Sequence, residues 1–328
     1  MRRLALALLA ILVTPLMLLG LPFYFVPLIR TRGVVSGTAY EPMTARLTWH
    51  RLGTRDDPAT EAIAHALPAT NLGFDLLIMG PLLLICRLSG HTPKALRYPA
   101  DPGAGFVGLM AARTGFIDEL LARHGADVSQ IVILGAGWDV RAWGLLGDSD
   151  ARIFEVDTAP TQAVKRRAIE ASGLAAERVT FIPCDFETQD WFDELQRAGL
   201  DASAPTIVLW EGVCMYLTDA AIDASFERFS RLAPGSLVLF DFLTDAWLES
   251  PTGQRAVRGA HTSYGETLRF GLPVAADFDA RLERFVGERG LEVLRAKRLG
   301  PPDASGVPHD SVAGDAYGGL ACLRVPAA

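Results

Sequence analysis

From Gln130 onward, short apolar runs rich in β-branched residues alternate with stretches of helical periodicity, and few folds accommodate that order. Strands that read as near-continuous apolar runs are covered on both faces, which calls for a mainly parallel sheet with helices on either side. The runs at 130–134, 152–156, 179–182, 206–210 and 236–240 are the predicted strands, with two later ones at 291–295 and 319–325. Helices are expected at 160–172, 190–198, 219–232 and 277–288. The first has Thr158 as its cap, Pro160 in its first turn and Gly173 as its terminator. The expectation is an α/β chain of the Rossmann-like, doubly wound type with a mostly parallel seven-stranded sheet. Ligands in such sheets bind beyond the carboxyl ends of the strands, where the winding reverses.

The strand ends carry the chemistry. The first leads into Leu134-Gly135-Ala136-Gly137-Trp138-Asp139, where two glycines let the backbone turn sharply and approach a ligand closely. The third glycine of the dinucleotide fingerprint is replaced by Val140, which favours a cofactor without phosphates, such as S-adenosylmethionine. The second strand ends in Phe154-Glu155-Val156-Asp157, and a carboxylate there is placed to accept hydrogen bonds from both ribose hydroxyls. Glu155 and Asp157 point to the same face, so spacing does not separate them; Asp157, nearer the loop, is the first choice. The third strand ends in Cys184-Asp185-Phe186, a carboxylate and a ring suited to an adenine. The fourth ends in Trp210-Glu211-Gly212-Val213-Cys214-Met215-Tyr216, delivering a glutamate and a tyrosine to the same rim. An acidic rim of this kind attracts a sulfonium cation with an ammonium tail.

Half of the 328 residues are hydrophobic, and the excess sits mostly at the N-terminus. Residues 4–29 carry no charge and are flanked by Arg2, Arg3, Arg30 and Arg32. A run of that length can span a bilayer as a helix, although Pro15, Pro22 and Pro27 argue against a straight one. The long apolar core and the want of a small-residue cleavage site favour a membrane anchor over a cleavable signal. A second apolar stretch, 72–88, has a charge-free core of only 76–86 and reads as a buried or interfacial lid helix. Between the two, 38–65 is a linker and cap, helical over about 58–66. The expected division is an anchor at 1–32, a helical linker and cap at 33–105, and a catalytic domain at 106–328. A net charge of −7 gives no footprint for nucleic acid. Cys86, Cys184, Cys214 and Cys322 have no paired spacing, and the histidines form no ligand pattern, so free thiols and no metal site are expected.

Taken together, Ala112-Arg113-Thr114-Gly115-Phe116-Ile117-Asp118, the glycine turn through Arg141, Phe154-Glu155-Val156-Asp157 and Glu211 to Leu217 resemble the leucine carboxyl methyltransferase family. That family lies within the class I S-adenosylmethionine-dependent methyltransferases, and the resemblance covers about 38–325. It implies that Arg113 grips the methionine carboxylate of the cofactor and that Gly135, Ala136 and Gly137 line the methionine moiety. It further implies Asp157 at the ribose, Asp185 and Phe186 at the adenine, and Glu211 at the ammonium or the acceptor edge. Trp138 departs from the small or aliphatic residue usual after the turn.

Methyl transfer from a sulfonium is an in-line displacement, so positioning and water exclusion supply most of the catalysis. A carboxylate acceptor needs no base; a hydroxyl acceptor does, and Glu211, Tyr216 and His261, the last read in a loop at 259–264, are the candidates. Whether the group methylated is a carboxylate or a hydroxyl stays open, as does the oligomeric state. An anchored enzyme suits a small or lipid-like acceptor, with the catalytic domain on the cytoplasmic side where S-adenosylmethionine is made. The rival readings are a nicotinamide-dependent oxidoreductase and a membrane-tethered binding protein without turnover.

Overall fold

The computed structural model describes residues 1–99, 108–274, 277–300 and 317–327. Seven strands form one sheet: β1 (Gln130–Leu134), β2 (Arg152–Asp157), β3 (Val179–Pro183), β4 (Thr206–Trp210), β5 (Leu237–Leu243), β6 (Glu292–Leu299) and β7 (Gly318–Arg324). Their order is β3-β2-β1-β4-β5-β7-β6, with β7 antiparallel to both neighbours and the other pairs parallel. The strand positions agree with the sequence expectation, since runs buried on both faces announce themselves as uninterrupted apolar segments. Val132, Leu134, Phe154 and Val156 pack into one core, and Ile131, Ile133, Ile153 and Leu209 into the core on the opposite face. The period of two thus feeds both sides of the sheet.

Helices α1 (Arg2–Thr31), α2 (Tyr40–Arg51), α3 (Pro58–Ala64), α4 (Leu72–Phe74) and α5 (Gly80–Ser89) precede the sheet. A π-helical turn, Asp75–Met79, joins α4 to α5 without a break. Then come α6 (Leu109–His124), α7 (Ala159–Ser172), α8 (Trp191–Arg197), α9 (Asp219–Ser230), α10 (Asp245–Glu249), α11 (Pro251–Tyr264) and α12 (Phe278–Gly287). At α7, Thr158 occupies the capping position, but its hydroxyl turns to Thr161 and Asp157 instead of the helix N–H groups.

The N-terminal region is mostly helical. Helix α1 runs through all three of its prolines as a single 30-residue element, and α2 fills a stretch read as linker. The segment 72–89 lies along α1: an added Cβ at Gly20 would sit 2.6 Å from Ile78, and Asn71 Nδ2 donates to the Phe23 carbonyl at 2.8 Å. Both α1 and the helix spanning Pro68–Ser89 are long and apolar enough to cross a membrane by length and composition. Leu28, Tyr40, Met43, Leu47, Ile63 and Met79 form the core of this cap, and Trp138 joins it from the glycine turn, its ring centroid 5.2 Å from that of Tyr40. The unusual residue after the turn is therefore the wedge on which the cap seats. All four cysteines are buried free thiols.

Candidate active site

At the carboxyl end of β1 the chain turns through Gly135 at φ +66° and Gly137 at φ +42°, conformations that side chains disfavour. Space excludes a side chain as well: an added Cβ would lie 2.2 Å from Val213 at Gly135, and 2.9 Å from the Ala39 Cβ at Gly137. The Gly135 and Ala136 N–H groups donate to the Val156 carbonyl, tying the turn to the end of β2. Asp157 completes the tie, its Oδ2 accepting from Gly137 N at 2.7 Å and its Oδ1 from Thr158 N at 2.6 Å. Burial raises the Asp157 carboxyl, against the pull of these N–H groups.

The two acidic residues of β2 part company here. Glu155 is fully buried away from the turn, in an ion pair with Lys165 of α7 at 2.6 Å, and burial lifts its carboxyl to about 7 even so. It does not line the cavity and is withdrawn as a cofactor contact; Asp157 alone faces the turn.

The turn floors a cavity of about 990 Å³ at the switch point between β1 and β4. That is near the upper end for small-molecule sites, with room for two ligands side by side. The structure brings Arg113, Gly135, Ala136, Gly137, Asp157, Asp185, Phe186, Glu211 and Tyr216 to its walls.

Behind the wall lies a network of ion pairs that the sequence did not announce. Arg113 Nε donates to Glu211 at 2.9 Å and Nη1 to Asp241 of β5 at 3.0 Å. Glu211 also receives Arg141 at 2.6 Å and Arg46 at 3.3 Å, and Arg46 reaches Asp139 at 3.3 Å. Burial would raise the Glu211 carboxyl, but the guanidiniums of Arg141, Arg113 and Arg46 outweigh it and hold it at about 2. A group so acidic does not accept a proton at neutral pH, so Glu211 is corrected from a candidate base to a fixed negative charge.

The other two candidate bases fare no better. Burial pushes the Tyr216 phenol well above its ordinary value, leaving a hydrogen-bond donor. His261 lies on α11, not in a loop, because Ser250 caps that helix, Pro251 opens it and Gly265 at φ +76° ends it. Its ring nitrogen meets Thr267 at 3.0 Å, outside the cavity wall.

The cavity roof consists of residues 33–43 and the end of α11. Gly37 N donates to Glu266 at 2.7 Å, Thr38 Oγ1 bonds the same carboxylate, and the Tyr264 hydroxyl donates to Glu41 at 3.1 Å. No group of His, Cys, Asp and Glu suited to a metal occurs among the described residues.

The family model described as leucine carboxyl methyltransferase matches residues 89–230. That segment, under half of the chain, is what resembles the family. A Mycobacterium tuberculosis protein provisionally named an S-adenosyl-L-methionine-dependent methyltransferase is 40% identical over 133 residues, covering 40% of this chain and 42% of the relative. A Rhodococcus jostii protein of the same provisional name is 39% identical over 138 residues, covering 42% and 47%. The chain thus spans less than half the length of these curated relatives. The fold matches that of a Thermobifida fusca crystal structure described provisionally as a methyltransferase, at a TM-score of 0.50 and 19% identity over 86% of this chain and 94% of that one. The matched segment contains Arg113, the glycine turn, Asp157, Asp185 and Glu211, whereas Arg46, Glu41, Asp241, Tyr264 and Glu266 lie outside it.

Proposed function

We propose that this chain is an S-adenosylmethionine-dependent O-methyltransferase of a small or lipid-like acceptor. The observation that carries the reading is the Asp157 carboxylate locked against the N–H of Gly137, where it meets the ribose of an adenosyl ligand lying across the turn. The walls fit such a ligand: the glycine cradle admits no Cβ, and the buried Arg46 Nε has no hydrogen-bond partner among the described residues. Arg113, with guanidinium hydrogens beyond those given to Glu211 and Asp241, takes the methionine carboxylate. Glu211 balances the ammonium, and Asp185 with Phe186 holds the adenine. Bound there, the cofactor supplies an electrophilic methyl group; the chain aligns the acceptor with it and excludes water.

A pyrophosphate would meet Asp139, buried in the ion-pair network, and Val140, packed in the cap core, where a dinucleotide site needs an open helix N-terminus. This disfavours the oxidoreductase.

We further read α1 as a membrane anchor with the catalytic domain on the cytoplasmic side, where the cofactor is made. Support comes from its exposed Leu8, Ile11, Leu12 and Leu19, continued by Leu72, Leu76, Leu84 and Leu88 on the helix beside it. Leu72 with Leu76, and Leu84 with Leu88, are spaced as neighbours four residues apart.

Incubating the full chain with methyl-labelled S-adenosylmethionine and a membrane lipid extract tests the proposal. Label is expected in an organic-soluble product. Release of no labelled product, with extract and cofactor in excess, contradicts it.

A further inference from the structure

The methyltransferase reading leaves two acceptor chemistries, a carboxylate or a hydroxyl, and the roof of the cavity separates them. Seven carboxylates line the cavity, among them Glu41, Glu187 and Glu266, against three guanidiniums, Arg46, Arg113 and Arg269. Arg46 and Arg113, together with Arg141 behind them, are matched by Asp139, Glu211 and Asp241, which leaves Glu41, Asp157, Asp185, Glu187 and Glu266 against Arg269. A bound cofactor adds a single net positive charge. A carboxylate acceptor would enter a site with uncompensated negative charge, at the cost that like charges in a confined, partly desolvated space carry.

The two roof carboxylates differ in what they can still do. Glu266 is occupied by Gly37 N, Thr38 N and Thr38 Oγ1, and serves to pin the roof loop to the end of α11. Glu41 accepts one hydrogen bond, from Tyr264 to its Oε1; its Oε2 has no partner and it forms no ion pair among the described residues. Glu41 lies two residues after Ala39, whose Cβ rests on the glycine turn, and lines the same cavity as that turn. Met110, Val213, Leu243, Trp247 and Leu268 supply an apolar wall around it.

We propose that the acceptor is a neutral, apolar molecule bearing a phenol-type hydroxyl, and that Glu41 is the general base that takes its proton. The hydroxyl proton passes to Glu41 Oε2 while an oxygen lone pair forms the new bond to the methyl carbon. The carbon–sulfur bond breaks with its electron pair going to sulfur, leaving a neutral thioether and a methyl ether; Glu41 then releases its proton to water. A phenol suits a carboxylate base, since its proton is far more acidic than that of an alkyl alcohol. Although Glu41 is partly open to solvent, loss of hydration in the cavity wall lifts its carboxyl above the ordinary value and so makes it a stronger base. The Tyr264 hydrogen bond and Arg113 of α6 act against that lift, Glu266 adds to it, and Tyr24 of α1 and Tyr216 face it as neutral phenols.

The test uses the full chain saturated with S-adenosylmethionine, with 4-butylphenol and 4-butylbenzoate as probes. By calorimetry with S-adenosylhomocysteine in place of the cofactor, the phenol is expected to bind at least about tenfold tighter than the benzoate, and with S-adenosylmethionine only the phenol yields a methylated product. Glu41→Gln should keep cofactor affinity within about threefold, lose about 100-fold or more in turnover, and lose the acidic limb of the pH–rate profile. Tyr264→Phe, a gentler change that removes the hydrogen bond lowering Glu41, should move that limb to higher pH. Equal or tighter binding of the benzoate, no binding of either probe, or an unchanged rate and pH profile in both variants overturns the proposal. A wild-type chain that bound no S-adenosylmethionine would instead overturn the methyltransferase reading beneath it.

Discussion

The carboxylate of Asp157, at the end of β2, accepts a 2.7 Å hydrogen bond from the backbone N–H of Gly137, at the turn after β1. Two adjacent parallel strands, β1 and β2, are thereby joined beyond their last ladder hydrogen bond, next to the β1–β4 junction where the winding of the sheet reverses. A buried carboxylate held by two backbone N–H groups keeps lone pairs for a ligand while its own orientation is fixed. Asp157→Asn keeps the shape but sets an amide NH2 against groups that donate to the carboxylate, and is expected to weaken cofactor binding about tenfold, measured by calorimetry. Unchanged affinity in this variant would mean that the carboxylate serves the turn alone.

Arg113 stands between Glu211 and Asp241, all three almost fully buried. Arg113→Met leaves Asp241 buried without its cation while Glu211 keeps Arg141 and Arg46, and removal of one partner from a buried pair costs about 3–5 kcal/mol. Urea denaturation should show a loss of that size together with loss of cofactor binding. Arg113→Lys should restore much of the stability but not the affinity, because an ammonium lacks the planar fork.

The Glu155–Lys165 pair carries a pH signature. Burial holds Glu155 at about 7, above its unfolded value, so the stability it contributes is present at low pH and is lost as pH rises through 7. Lys165→Met removes the charge that opposes this rise and strands the carboxylate. The variant should therefore be destabilised by about 3–5 kcal/mol at pH 8 and by clearly less at pH 5. Thermal unfolding at the two pH values checks this; an equal cost at both would show that Glu155 is not the titrating group.

The sheet was legible because burial on both faces leaves continuous apolar runs, and the glycine turn because only glycine tolerates its backbone and its neighbours. Asp241 was missed since it lies inside β5, where the expected strand stopped at 240. Helix α2 was missed because Arg46, on its buried side, interrupts the apolar pattern that would have revealed it. The choice between Glu155 and Asp157 was undecidable from a period of two, and Lys165, arriving from α7, decides it. Glu41 carried no local signal at all, since its role depends on α11, more than 200 residues later.

The exposed leucines of α4, the π-helical turn and α5 make the membrane reading testable apart from α1. The full chain should float with phosphatidylcholine vesicles, and replacing Leu72, Leu76, Leu84 and Leu88 by serine should weaken that partition at least about tenfold while α1 remains. Deleting residues 1–32 should abolish it. Flotation indifferent to both changes would place the membrane contact elsewhere.

Calorimetric titration of S-adenosylmethionine into the full-length chain, beside Asp157→Ala, bears most directly on the pocket. The expected result is saturable binding at one site per chain in the native protein, weakened about 100-fold or more by the substitution while the folded state persists by circular dichroism. An absence of binding in the native chain, or equal affinity in the two proteins, would contradict the assignment of this cavity to an adenosyl cofactor.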